Sequence, residues 1–355
     1  MASRPSARSR ATVNDVASAA RVSRQTVSNA LMHPERVRPE TLRRVHAEIE
    51  RLGYSPSTAA SSLRQQRAGA VGMELTGLGS QSLSDALAPF LVSLTICAPT
   101  HECHIVTFGS DQDGPTLERY REMWRGRLVD AFVIMDTHHG DPRPTWLADQ
   151  GIPFASFGRV WDEPAFTAWA DVDGRAGTDT AVEHLVSEGY GPIGYLGWPY
   201  GSLVGDERRE GWAIATARHG RGDLTLQAIS NQVLPEAIDA AGQLVDRVGT
   251  GGAIVCASDL LALAVHHVLL TRGLRPGRDV GIVGFDGSQS ALAHGLTSVA
   301  QPFRAIADEL LTQVHDQLTS APQRTSGVML TPTLVHRSSS HRRPTAPATH
   351  HQEKS

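Results

Sequence analysis

Four polar side chains in one short helical pattern are the first residues that could do chemistry. In Arg24-Gln25-Thr26-Val27-Ser28-Asn29-Ala30-Leu31 the helical period puts Arg24, Gln25, Ser28 and Asn29 outward and leaves Val27 and Leu31 for packing. Arginine can donate to guanine, glutamine or asparagine can pair with adenine, and serine can serve either, so this face suits base edges in a major groove about 12 Å wide. Thr12, Ser23, Thr26 and the neighbouring helix N-terminal amides are placed to hold phosphates.

Those residues need short helices around them, and the flanking sequence supplies the signals. Thr12 reads as an N-cap with Asp15 three residues on, where a carboxylate can reach back to the cap. Arg21-Val22 reads as a tight break, and Ser23 caps the second helix. Pro39 opens a third helix in which Leu42, Val45, Ile49 and Leu52 recur at helical spacing, and Gly53 stops it. Val16, Ala20, Val22, Val27 and Leu31 are the expected small core, so 11–54 reads as an all-α helix-turn-helix domain. A three-helix packing unit with a merely basic surface would carry the same helical signals.

Charge separates this head from the rest. Residues 1–67 hold 12 arginines, no lysine and five acidic groups, whereas the remainder holds 21 basic and 32 acidic groups. A basic head on an acidic body directs the head, and not the body, towards a polyanion. Three cysteines, Cys97, Cys103 and Cys256, cannot all pair with one another, which argues against a disulfide framework. No run of 18 apolar residues marks a membrane span, and no apolar segment follows the Arg/Ser-rich 1–10 as a signal peptide requires. The expected location is therefore cytoplasmic, on the nucleoid.

From residue 70 strand-like runs at 71–75, 105–108, 131–135, 154–157, 193–196, 252–256 and 280–285 alternate with helical ones such as 177–187 and 260–272. That alternation predicts an α/β body of two doubly wound parallel-sheet lobes over 68–337. Residues 1–10 read as a disordered arm, 55–67 as a hinge helix or linker, and the Ser/Pro/His-rich 338–355 as a disordered tail.

The head, taken in order, resembles the LacI/GalR family of bacterial transcriptional repressors. The matching text is Val13-Asn14-Asp15-Val16-Ala17, Val22-Ser23-Arg24-Gln25-Thr26-Val27-Ser28, Arg38-Pro39-Glu40-Thr41, Leu52-Gly53-Tyr54-Ser55-Pro56 and Leu63-Arg64. The resemblance implies a homodimer on double-stranded, pseudo-palindromic operator DNA, with Arg24 and Gln25 on the base-reading positions. Asn29 stands where the family usually has Arg. In the hinge, Ala60 and Leu63 fall on minor-groove positions, Leu63 as an apolar wedge that bends DNA.

The body resembles the periplasmic-binding-protein fold that this family uses as a sensor, with landmarks at Asp171-Val172-Asp173, Arg208-Arg209-Glu210-Gly211-Trp212, Ala257-Ser258-Asp259 and Val283-Gly284-Phe285-Asp286. The resemblance assigns Arg208 and Asp259 to a small-molecule effector, a sugar or related metabolite, with Arg159 and Asp173 as further candidates. It gives Asp286 a mostly structural role. The stretch Gly77-Leu78-Gly79-Ser80-Gln81-Ser82-Leu83 lacks the aromatic that many relatives carry there. Trp161, Trp198 and Trp212 could each supply a ring but read first as core or rim residues.

Other chemistries find no support. His101-Glu102-Cys103-His104 enters a strand, so alternate side chains point apart, and no second ligand cluster has zinc-like spacing. The pairs His138-His139 and His266-His267 read as surface or helix residues. No Gly-x-Ser-x-Gly elbow or phosphate-cradling Gly/Lys loop appears, so neither catalysis nor a cofactor is expected. A periplasmic-type solute-binding protein would share the body, but would need a signal peptide and would not carry the basic head.

Overall fold

The computed structural model describes residues 11–54, 67–75, 86–109, 117–162, 165–319, 321–322 and 325–342. Two compact units result, Met1–Ala68 and Gly69–Ser355.

The first unit contains α1 (Val13–Ala20), α2 (Arg24–Met32) and α3 (Pro39–Leu52). Thr12 and Asp15 form a reciprocal capping box: the Thr12 hydroxyl accepts from the Asp15 amide, and the Asp15 carboxylate accepts from the Thr12 amide. Arg21 turns the chain in the left-handed region at φ 53°, and Gly53 ends α3 at φ 58°. Val16, Ala17, Ala20, Val27, Ala30 and Val45 are buried together. Arg44 Nε donates to the Ala20 carbonyl at 2.9 Å, tying α3 to the end of α1 and satisfying one orphan carbonyl.

The second unit contains two α/β lobes. Lobe one has a six-stranded parallel sheet in the order β11-β5-β4-β3-β1-β2, formed by β1 (Ala70–Leu75), β2 (His104–Gly109), β3 (Ala131–Met135), β4 (Phe154–Phe157), β5 (Trp169–Val172) and β11 (Val328–Leu330). Its helices are α4 (Leu87–Cys97), α5 (Leu117–Arg125) and α6 (Pro142–Asp149). Lobe two has the order β12-β10-β9-β8-β6-β7, from β6 (Ile193–Gly197), β7 (Gln227–Ile229), β8 (Ala253–Cys256), β9 (Gly281–Asp286), β10 (Thr297–Ala300) and β12 (Thr333–Val335). Within it β12 runs antiparallel to β10. Its helices are α7 (Gly174–Ser187), α8 (Leu203–Arg218), α9 (Leu234–Val248), α10 (Asp259–Thr271) and α11 (Gln289–Ala293).

The chain crosses between lobes three times: from β5 to α7, from β10 to α12 (Phe303–Leu318), and from β11 to β12. Helix α12 returns to lobe one, where it packs on α4 and β4, and Asp308 pairs with His101 at 2.8 Å. Buried runs such as Ala131–Met135 and Gly281–Asp286 are continuous rather than alternating, because helices cover both sheet faces. Gly211 lets α8 approach α7 closely: a Cβ there would strike the Thr178 hydroxyl and the Arg175 carbonyl.

Residues 338–342 depart from the disorder expected over 338–355. Ser338–Ser340 is a 3-10 turn with Ser339 and Ser340 buried. Ser339 Oγ donates to the Ile282 carbonyl at 2.7 Å and accepts from the Thr297 amide at 2.8 Å. These serines therefore complete backbone hydrogen bonding at the edge of lobe two, a role that a composition-based reading as a solvated tail misses.

Candidate effector cleft and DNA-reading face

On α2, Arg24 and Gln25 are exposed, and Ser28 and Asn29 are half-buried. Gln25 Nε2 donates to Asn29 Oδ1 at 2.9 Å, so the two amides form one hydrogen-bonding surface. Ser23 caps the helix by accepting from the Thr26 amide at 3.0 Å, and its hydroxyl meets that of Thr26 at 2.9 Å. Thr12 is exposed, with its hydroxyl donating to Asp15. The hinge positions Ala60 and Leu63 lie outside the described residues, as does the segment from Gly77 to Leu83.

A cavity of about 250 Å³ lies between the lobes. Its walls come from the segments after β3, β4, β5, β6, β9 and β10, at the carboxyl ends of both sheets, where α/β folds bind ligands. Lobe one contributes Asp136, Thr137, Phe157, Trp161 and Asp171, and lobe two contributes Trp198, Val204, Arg208, Asp286 and Gln301.

Arg208 is the central group. It is buried, donates from Nη1 to the Ala257 carbonyl at 2.5 Å, and lies 3.7 Å from Asp286 Oδ1. Its guanidinium lies 3.6 Å from the Phe285 ring centroid and 5.2 Å from that of Trp198. Burial pulls its pKa below the ordinary arginine value, and Asp286 opposes that shift. Arg208 Nε and Trp198 Nε1 are buried donors with no hydrogen-bond partner. Orphaned donors on two cavity-lining residues are a ligand signal, since buried polar groups are otherwise satisfied.

Asp286, expected from the resemblance to be mostly structural, was not among the effector candidates. It lines the cavity at the end of β9 with φ 113°, a strained conformation for a non-glycine residue and a frequent mark of functional positions. It accepts from Gln301 Nε2 at 2.7 Å. Its sequence signal was the same as that of Asp259, an acid following a buried strand.

Asp259 is fully buried at the start of α10, is not among the residues lining this cavity, and acts electrostatically on Arg208, which is. Its Oδ2 accepts from the Ser288 amide at 2.7 Å and its Oδ1 from the Ser298 hydroxyl at 2.6 Å. Gly284 makes room for it, because a Cβ there would strike Asp259 Oδ1. Asp173 is also absent from the lining. It caps α7, accepting from the Ala176 amide at 2.8 Å. Arg159 flanks the cavity: its Nε donates to Asp171 at 3.1 Å, its Nη2 pairs with Glu207 of α8, and it lies 4.7 Å from the Trp161 ring. Trp161 and Trp198 line the cavity, while Trp212 is core and donates to the Ile193 carbonyl at 3.0 Å.

Beneath the lobe-one rim lies a buried ionic cluster that sequence patterning did not reveal. Arg143 is paired with Asp141 and Glu74, Tyr120 donates to Glu74 at 2.9 Å, and Arg143 Nη2 donates to the Met135 carbonyl at 2.9 Å. The last contact anchors the segment leading to Asp136 and Thr137. Among the described residues no group of three or more His, Cys, Asp or Glu is arranged to hold a metal, and no helix is long and apolar enough to cross a membrane.

A helix-turn-helix head preceding a two-lobed clamp with a polar cavity is the build of a ligand-responsive, sequence-specific DNA-binding regulator. The chain carries the DNA-binding domain of the LacI family of bacterial transcriptional regulators and a sensor-type body: residues 12–57 match the bacterial regulatory proteins of the lacI family, and 182–340 match a periplasmic binding protein-like domain. It is 29% identical over 317 residues to the HTH-type transcriptional regulator CelR of Thermobifida fusca, covering 88% of this chain and 93% of that one. The solved CelR-cellobiose complex superposes with a TM-score of 0.69 at 27% identity, covering 93% of this chain and 100% of that chain. The lac repressor dimer bound to operator and an anti-inducer shares the fold, with a TM-score of 0.73 at 21% identity over 94% of this chain and 99% of that chain.

Proposed function

We propose that this chain acts in the cytoplasm as a transcriptional repressor. It binds a pseudo-palindromic operator as a homodimer and changes its grip when a small polar metabolite, a sugar or a relative of one, enters the cleft. Arg24, Gln25, Ser28 and Asn29 read base edges, and Thr12, Ser23 and Thr26 face phosphates. Ala60 and Leu63 act in the minor groove. Arg208, Asp286 and Arg159 serve the effector, while Asp259 and Asp173 hold the local frame. Val92 and Ile96, one helical turn apart on α4 and both more than half exposed, offer an apolar face to a second copy. The reading assigns the protein no catalytic step.

The observation that carries this reading is the inter-lobe cavity with the Arg208–Asp286 pair and two unpartnered donors on its walls. The mechanism is linkage: a metabolite shifts operator occupancy only by its differential affinity for the two lobe arrangements, typically about 1–3 kcal/mol. Genome-wide footprinting with the full chain tests it. Bound sites should share an inverted repeat, and a metabolite handled by the adjacent genes should alter occupancy. Sites without a common repeat would reject the proposal.

A further inference from the structure

The proposed cleft reading leaves the charge of the effector open. We infer that this cavity selects an uncharged, polyhydroxylated ring and rejects its phosphorylated and carboxylated counterparts; the inference rests on the assignment of the effector to this cleft.

The argument starts from the charges. Among the described residues, Asp136, Asp171 and Asp286 line the cavity against one arginine, Arg208. That arginine is already engaged by Asp286 and the Ala257 carbonyl. The nearby Arg159 is shared between Asp171 and Glu207. The imidazole on the rim, His138, interacts through Nδ1 with the His139 carbonyl at 2.9 Å. An entering phosphate or carboxylate would meet surplus acid and would find a single unpartnered guanidinium N–H, Arg208 Nε, in place of an open fork. Recognition of such anions calls instead for an arginine fork open to the ligand.

The N-terminus of α8 could also attract an anion, since Ser202, Leu203 and Val204 line the cavity. Its first turn already carries Asp206, whose carboxylate accepts from the Gly201 amide at 2.9 Å. A negative charge is therefore supplied from within the chain at that helix end. The remaining capacity is neutral. Trp198 Nε1 and Arg208 Nε lack acceptors, carboxylates are available as acceptors for hydroxyls, and Trp161 and Trp198 present indoles from opposite lobes. Hydroxyls that both donate and accept, on a ring with an apolar face, match that set.

The test is isothermal titration of the purified full chain with matched probes: glucose, glucose 6-phosphate and glucuronate, the corresponding galactose set, and cellobiose. At least one neutral sugar should bind, and the phosphorylated and carboxylated forms of the same ring should bind at least 100-fold more weakly. Trp198→Phe, which removes the indole N–H, should weaken the neutral sugar at least tenfold. Asp171→Asn should narrow the gap between neutral and anionic forms, and Asp286→Asn gives the same readout if the first variant does not fold. An anionic form binding as tightly as its neutral partner, or no neutral sugar binding, would overturn the inference. If a neutral sugar binds with the expected selectivity but is indifferent to all three substitutions, the cleft assignment fails while the charge preference stands.

Discussion

Arg159 stands just beyond β4 of lobe one, and its guanidinium donates to Glu207 on α8 of lobe two while also bonding Asp171 of β5. One side chain thus joins the two walls of the cavity, and both partners of the cross-lobe pair are less than one-third exposed. A charge-assisted hydrogen bond in such a place is worth about 1–3 kcal/mol.

Glu207→Gln and Arg159→Met should each loosen lobe closure, and the double variant should cost less than the sum. In a double-mutant cycle read by urea unfolding, a coupling of about 1 kcal/mol is expected. Strict additivity would show that the pair does not hold the lobes together.

Asp259 leads to a different expectation from Asp286. Both its carboxylate oxygens accept buried hydrogen bonds, from the Ser288 amide and the Ser298 hydroxyl. Asp259→Ala leaves those donors unsatisfied and should destabilise the body by about 2–4 kcal/mol, while the folded fraction retains its effector affinity. Loss of effector binding at wild-type stability would return Asp259 to the cleft.

On the head, Arg24→Ala should cost about 1–3 kcal/mol on the cognate operator and flatten preference at one base position, as measured by anisotropy on matched and mismatched duplexes. Equal affinity losses on every duplex would make Arg24 a phosphate contact instead.

His184 supplies a pH dependence. Its ring meets Ser340 at 2.7 Å and lies near His336, His341 and Glu188. Burial first, then His336, holds its pKa below the ordinary value of 6.5. A histidine depressed in the folded state binds fewer protons there than when unfolded. Stability should therefore fall as pH drops below 6.5 and level off below the folded pKa. Thermal melts of His184→Gln between pH 7.5 and 5 should show a shallower slope than wild type; an identical slope would remove His184 from the effect.

Much of the framework was legible because it rests on local rules. The Thr12–Asp15 cap, the Arg21 turn, Pro39 and Gly53 signal the head, and long apolar runs such as Ala131–Met135 signal buried strands. The short strands were harder. β11 and β12 have three residues each, and β5 carries a buried acid, so none presents an apolar run long enough to stand out. Each takes its form from neighbours across the lobe crossings. The site divided in the same way. Arg208 was identifiable from its motif, but Asp259 and Asp286 both follow apolar strands. What distinguishes them is tertiary: the space above Gly284 receives the first, and a backbone at φ 113° turns the second towards the cavity.

The most direct measurement is competition binding of the full chain to a footprinted duplex against random duplex at moderate ionic strength, with and without a cleft ligand. The account predicts a preference of at least about 10³-fold for the footprinted site, altered by the ligand. Equal binding to both duplexes, unchanged by any ligand, would contradict it.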